Sequence, residues 1–332
     1  MLYADDRRIG NHGIGRFARE VLARLDYRPI DLKSDPDSPL DALHLTRVLR
    51  GLKAGDLFFS PGYNPPVRCP VPFLFTLHDL NHLDRPENSN PLKRLYYATI
   101  VKRACDLAAR ILTVSEFSRR RIVEWSGISP AKVVSVGNGV GPEFSPDVAP
   151  YPLPFPYVLC VSNRRKHKNE LRQVEAFARA GLASELCFVF TGDPTPELAE
   201  CVNRNRLTAR AHFLGLVPEE QLPSLYRGAE ALLFVSLYEG FGLPVLEAMA
   251  CGTPVLTSNT TALPEIAGDA ALLVDPLSVE EIAVGMERIV CDTLLRELLR
   301  SKGLALAAKF TWECTAALVR NALEETVAAQ KE

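Results

Sequence analysis

The 332-residue sequence predicts an α/β protein with two domains, each built on a parallel sheet. Three observations carry that reading. Short β-branched and aromatic runs alternate with helical patterns along the whole chain, as crossover-connected parallel strands require. The length exceeds what one core usually fills and suits two domains of roughly 150 residues. Six prolines crowd into residues 142–156, and such a stiff extended segment places a linker near residues 145–156.

The elements follow in order. A first strand is expected over Leu2–Asp5, then a helix patterned by Phe17, Val21, Leu22 and Leu25. Further strands are expected at Asp56–Ser60, Phe73–Leu77 and Arg110–Val114. Beyond the prolines come Tyr157–Val161, Leu186–Phe190, Ala231–Val235 and Pro254–Thr257. The chain closes on a helix that follows Phe310-Thr311-Trp312 and runs to about Val327.

Composition narrows the class. Hydrophobic residues at 47% and charged residues at 23% are ordinary for a soluble globular enzyme. No apolar run of about 18 residues exists, and Met1–Asp6 does not read as a signal peptide, so the expected location is the cytoplasm. Eight cysteines lack C-x-x-C or metal-like spacing and read as reduced, mostly buried side chains. Residues 1–150 carry 21 Lys/Arg against 17 Asp/Glu, and residues 91–132 alone carry nine against three. That local excess, with Lys93, Arg94, Lys102, Arg103 and Arg119–Arg121 among Leu95, Tyr96, Tyr97 and Ile100, reads either as a solvated helix face or as a peripheral membrane surface for anionic headgroups or a lipid pyrophosphate. Nucleic acid is not expected from an acidic chain without a nucleic-acid module.

The most informative segment is Tyr238-Glu239-Gly240-Phe241-Gly242-Leu243-Pro244, followed by a helix carrying Glu247 and ending near Ala250. Gly240 and Gly242 clear side chains from a turn, so the amides of Phe241, Gly242 and Leu243 can face a phosphate at the helix N-terminus. Glu239 and Glu247 flank that point, and a carboxylate accepts the paired hydroxyls of a ribose or hexose diol. This pattern suits a sugar nucleotide. Other strand ends carry candidates too. Gly13-Ile14-Gly15-Arg16-Phe17 opens the first helix, but Ala18 stands where a nicotinamide fingerprint wants glycine. Thr76-Leu77-His78-Asp79-Leu80 and Leu112-Thr113-Val114-Ser115-Glu116-Phe117-Ser118 end two strands, and Ser115 reads as an N-cap. Ser162-Asn163-Arg164-Arg165-Lys166-His167-Lys168 places cations before a helix, physically a diphosphate site.

Together these strings, with Asn138-Gly139-Val140, Gly192-Asp193 and Phe213-Leu214-Gly215-Leu216-Val217, resemble the retaining family-4 glycosyltransferases (group 1), nearest in pattern to bacterial mannosyltransferases of polysaccharide and O-antigen assembly. The resemblance spans nearly the whole chain and is densest between residues 211 and 276. It implies the GT-B fold, two Rossmann-like domains whose parallel sheets face each other across a cleft. The implied domains are 1–150 on the acceptor side, 151–310 for the nucleotide sugar, and 311–332 as a helix packing back on the first domain. The reaction implied is metal-independent hexosyl transfer with retention, without a cofactor. Lys168 and Arg164 would neutralise the departing phosphate, Glu239 would position sugar hydroxyls, Glu247 would bind ribose and His78 would orient the sugar. Gly13 and Gly15 would lie beside the diphosphate, while Gly192, Leu216 and Val217 would frame the base. One departure matters: Ser162 replaces the family's glycine and Asn163 its arginine, so Arg164 stands in, with Arg165 as the competing choice.

The expected donor is GDP-mannose, with UDP-glucose and dTDP-rhamnose as alternatives within the same pattern. A polyprenyl-diphosphate-linked glycan is the expected acceptor, reached at an anionic membrane surface. Domain closure would exclude water. A rival reading is a non-catalytic sugar-nucleotide-binding subunit, favoured by Ser162 and Asn163 and opposed by Lys168, Glu239, Glu247 and His78. An NAD-dependent enzyme would rest on the Gly13–Gly15 loop alone.

Overall fold

The computed structural model describes residues 1–330 except 11 and 39. The chain forms two compact units, residues 1–139 with 312–332 and residues 140–311. The first begins with β1 (Leu2–Ala4), α1 (Gly13–Leu22), β2 (Arg28–Pro29), α2 (Asp41–Leu49), β3 (Leu57–Ser60) and β4 (Phe73–Thr76). It continues with α3 (Asn81–Asp84), α4 (Pro91–Tyr96), α5 (Lys102–Leu107), β5 (Arg110–Thr113), α6 (Glu116–Ser126) and β6 (Val133–Ser135). The second unit holds β7 (Tyr157–Cys160), α7 (Glu170–Arg179), β8 (Cys187–Phe190), α8 (Pro196–Arg204), β9 (Ala211–Phe213) and α9 (Leu222–Gly228). It ends with β10 (Ala231–Phe234), α10 (Leu243–Ala250), β11 (Val255–Ser258), α11 (Leu263–Ala267), β12 (Leu272–Val274), α12 (Val279–Cys291) and α13 (Thr293–Ala307). A last helix, α14 (Trp312–Ala328), returns to the first unit.

Each unit has a six-stranded sheet whose named pairs are parallel. The first sheet runs β2-β1-β3-β4-β5-β6 and the second β12-β11-β10-β7-β8-β9. Counted within its unit, the second order is 3-2-1-4-5-6, the doubly wound Rossmann arrangement. Its strand order reverses between β7 and β10, so the crevice beyond their carboxyl ends is where such a sheet takes a ligand. Every residue of β3, β4, β7, β8, β10 and β11 is buried, because helices cover both faces.

The first core gathers Leu45, Leu49, Phe58, Phe75, Tyr97, Val101 and Ile111. Val158, Phe177, Phe188, Phe190, Leu233, Leu256 and Met286 form the second. α14 packs on α1 and β5, with Trp312 buried and Glu313 2.7 Å from Arg24. The proline-rich stretch is not a free linker. Tyr151 N–H donates to Ser224 O at 2.9 Å, Arg227 Nε donates to Pro146 O at 2.8 Å, and Phe144 lies against Tyr226. Proline removes donors but leaves its carbonyl, and Arg227 uses the one at Pro146. Among the described residues, no helix is long and apolar enough to cross a membrane. All eight cysteines are free, and burial pushes Cys105 and Cys251 up to about 12, so both stay protonated.

Candidate active site

The carboxyl ends of β7 and β10 bring together two loops that lie far apart in sequence. Lys168, just before α7, places its Nζ 2.6 Å from Glu239 Oε1 in the loop after β10. Both side chains are 13% exposed, so the pair is shielded yet reachable. The ammonium also sits 4.8 Å from the centre of the buried Phe234 ring, whose face favours a cation. Lys168 is held from behind. Asn169 adopts a left-handed φ of 61° that asparagine tolerates, and its amide donates to Val235 O at 3.0 Å and Pro276 O at 2.7 Å. Gln173 Nε2 donates to the Lys168 carbonyl at 2.9 Å.

The same loop prepares an anion site. Gly242, the residue before α10, has φ 113°, and a Cβ there would lie 2.7 Å from Leu263 Cδ2. Position 242 therefore requires glycine twice over, for its backbone angle and for space. Pro244 supplies no N–H and Val245 donates back to Gly242 O. The amides of Phe241, Gly242 and Leu243 have no hydrogen-bond acceptor among the described residues. Three adjacent unsatisfied donors at a helix N-terminus attract an anion through both hydrogen bonding and the helix dipole. The Phe241 side chain is buried against Phe310, leaving its backbone as the part available to a ligand.

Other expected residues have different surroundings. Arg164, at φ 62°, is turned onto the second unit's own loops: Nε donates to Asp193 O at 2.8 Å, Nη2 to the Thr191 and Gly192 carbonyls, and Nη1 to Glu170. Its guanidinium also lies over Phe190 and Phe213. Four of its five N–H donors are thus consumed, which makes it a staple for residues 191–193 rather than an open phosphate contact. Arg165 and Lys166 are exposed beside it and form no ion pair among the described residues. Glu247 is buried, with Oε2 accepting from the Tyr226 hydroxyl at 2.7 Å. Gly192, at φ 76°, donates to the Gly215 carbonyl and bridges the loops after β8 and β9. Beyond it Leu216 is 94% exposed, a large apolar side chain standing in water beside the partly buried Val217.

In the first unit, Gly13 and Gly15 open α1 as expected, lying in its first turn. His12 caps the helix by accepting from Gly15 N at 3.0 Å. A Cβ on Gly15 would lie 2.7–2.9 Å from the backbone of Gly10 and Arg8, so the glycine allows a close chain approach. Phe17, one turn on, meets the His78 ring edge-on at 5.0 Å. His78 Nε2 lies 3.0 Å from Pro61 O. A carbonyl can only accept, so Nε2 carries the proton and Nδ1 is left as an acceptor. Burial lowers His78 to about 4, against a smaller raising effect from the Pro61 bond, and the ring is neutral at pH 7.

The sequence alone assigns no role to Phe234, Asn169, Gln173 or Tyr226. Asn169 had a usable signal, an asparagine directly before a helix. The others act through tertiary contacts that no local pattern announces.

Comparison with known proteins converges on one class. Residues 10–144 match Glycosyltransferase Family 4 and residues 144–304 match Glycosyl transferases group 1. The chain is 32% identical to the O-antigen chain mannosyltransferase B of Escherichia coli, over 93% of this chain and 83% of the relative. It is 29% identical to the MMP alpha-(1->4)-mannosyltransferase of Mycolicibacterium hassiacum, over 88% and 76%. Sucrose-phosphate synthase from Thermosynechococcus elongatus shares the fold at TM-score 0.78 and 18% identity, covering 99% of this chain and 98% of that one. Anabaena HepE, solved with UDP and glucose, does so at TM-score 0.72 and 17% identity, over 98% and 99%. The fold is GT-B. The chain belongs to the family-4 glycosyltransferases and is a glycosyltransferase.

Proposed function

We propose that this enzyme transfers mannose from GDP-mannose, with retention at the anomeric carbon, to a polyprenyl-diphosphate-linked glycan. The observation that carries the donor site is the row of unsatisfied amides at Phe241, Gly242 and Leu243 next to the Lys168–Glu239 pair. Mannose is supported by the names of the Escherichia coli and Mycolicibacterium hassiacum relatives, both mannosyltransferases.

In this reading the diphosphate oxygens accept from the three amides, and the Lys168 ammonium meets the β-phosphate as the glycosidic bond breaks and negative charge gathers there. Arg165 replaces Arg164 as the arginine assigned to the diphosphate, since Arg164 is occupied by Glu170 and three carbonyls. Glu239 keeps lone pairs for two sugar hydroxyls, and Glu247, oriented by Tyr226, takes the ribose diol. Gly192, Leu216 and Val217 edge the base. His78 accepts a sugar hydroxyl at Nδ1. The anomeric carbon passes through an oxocarbenium-like state as its bond to the β-phosphate oxygen breaks, and the acceptor hydroxyl bonds to the face the phosphate leaves while its proton passes to the departing phosphate oxygen.

The acceptor's lipid places the enzyme at a membrane surface, supported by Leu92 at 75% exposure and Leu95 at 59% beside Lys93, Arg94, Lys102 and Arg103. Anionic vesicles should bind the protein and release it as salt rises; absent or salt-insensitive binding would contradict this part.

The test of the reaction is release of nucleoside diphosphate from GDP-mannose, UDP-glucose and dTDP-rhamnose in the presence of lipid-linked acceptor. GDP-mannose should be turned over fastest. Preference for another donor would replace the sugar, and no turnover of any would favour a non-catalytic subunit.

A further inference from the structure

Four non-glycine residues among those described have positive φ, and one of them, Thr261 at φ 60°, is β-branched. A β-branched side chain resists this conformation strongly, so the surrounding structure must impose it. What is gained is visible at its hydroxyl. Thr261 Oγ1 donates to Thr260 O at 2.7 Å, which turns a lone pair toward Glu239 N–H, 3.2 Å away. Ala262 N–H in turn points to the Glu239 carbonyl at 3.4 Å. Leu263, the next residue, fills the space left by the absent Gly242 side chain.

The segment after β11 therefore grips Glu239 by both peptide groups while Lys168 holds its carboxylate. We infer that Thr261 is a positioning residue for Glu239, its hydroxyl setting the height of the loop from which the carboxylate meets the sugar. The inference rests on the assignment of Glu239 to sugar hydroxyls. A serine would supply the same hydroxyl, whereas valine would keep the shape and the unfavourable φ but lose the bond.

The experiment compares wild type, Thr261→Val, Thr261→Ser, Glu239→Ala and the Glu239→Ala/Thr261→Val double variant, using whichever of GDP-mannose, UDP-glucose and dTDP-rhamnose the wild type turns over. Loss of the anchor should lower kcat about 10- to 100-fold in Thr261→Val, as small misplacements of a positioning group do, with donor KM within about threefold of wild type. Thr261→Ser should restore kcat to within about threefold of wild type, and Thr261→Val should cost nothing further once Glu239 is alanine. Should Thr261→Val fold poorly, Thr261→Gly removes the same hydroxyl while relieving the φ, and it should show the same kcat loss with an undiminished Tm. A lowered Tm with unchanged kcat, or losses at 239 and 261 that multiply, would overturn the inference. Wild-type turnover by Glu239→Ala, or no turnover by the wild type itself, would overturn the reading beneath it.

Discussion

Replacing Lys168 separates what holds the site from what the site does. At 2.6 Å and an effective dielectric near 20, the Lys168–Glu239 attraction is ~6 kcal/mol before desolvation. Most of that is offset by stripping water from both ions, but Lys168→Ala removes the attraction and leaves Glu239 poorly hydrated. The expected net cost, discounted for the exposure of both groups, is ~1–2 kcal/mol. For a unit of this size that is a Tm lower by about 2–8 °C. Adding Glu239→Gln removes the stranded charge and should recover most of that Tm, because an ion pair deleted as a whole costs little. Activity should behave in the opposite way. Losing one charge that stabilises the leaving group costs about 100- to 1000-fold in kcat, and Glu239→Gln should deepen the loss. Scanning calorimetry and nucleoside diphosphate release, on the same three proteins, read the two quantities. If Tm and kcat recovered together in the double variant, Lys168 would serve only to neutralise Glu239 and the leaving-group role would be refuted.

Other consequences follow from the same geometry. Arg164→Lys should lower stability by ~2 kcal/mol, since an ammonium cannot reproduce the fork that ties Glu170 to residues 191–193, whereas Arg165→Ala should leave Tm unchanged and raise the donor KM; the reverse pattern in calorimetry and kinetics would return the diphosphate to Arg164. His78 titrates near 4 when folded and near 6.5 when unfolded, so the unfolded chain binds the extra proton between these values and stability falls by up to ~3 kcal/mol as pH drops from 6.5 to 4. Urea midpoints for wild type and His78→Gln should converge as pH falls through that window; curves that stay parallel would exclude His78 as the source. Gly15→Ala must push a methyl into the backbone of Gly10 and Arg8, and a Tm loss corresponding to ~2 kcal/mol is expected, while a neutral result would contradict the close approach.

The parallel architecture was legible because the longer strands are apolar runs bounded by turn residues, as at Phe73–Thr76 and Ala231–Phe234. β2 was not, since Arg28 and Pro29 are both exposed and carry no apolar signal. The proline segment misled because proline density indicates stiffness without showing whether the stiff chain is docked. At the site, the glycine spacing from Gly240 to Gly242 located the helix N-terminus, which local sequence determines. The Lys168–Glu239 contact spans 71 positions and arises from the β7–β10 neighbourhood. The surroundings of Arg164 were hidden for the same reason. Its charge and position suit a phosphate, but only the fold reveals that Glu170 and three carbonyls already surround it.

The most direct test of the donor site is a calorimetric titration of wild type and Lys168→Ala with GDP, UDP and dTDP. Selective GDP binding by wild type, weakened about tenfold or more in the variant, is the expected result for a charge-assisted phosphate contact. Absence of nucleotide binding by the wild type, or GDP binding that the variant retains in full, would contradict a donor diphosphate held by Lys168 and the amides of Phe241, Gly242 and Leu243.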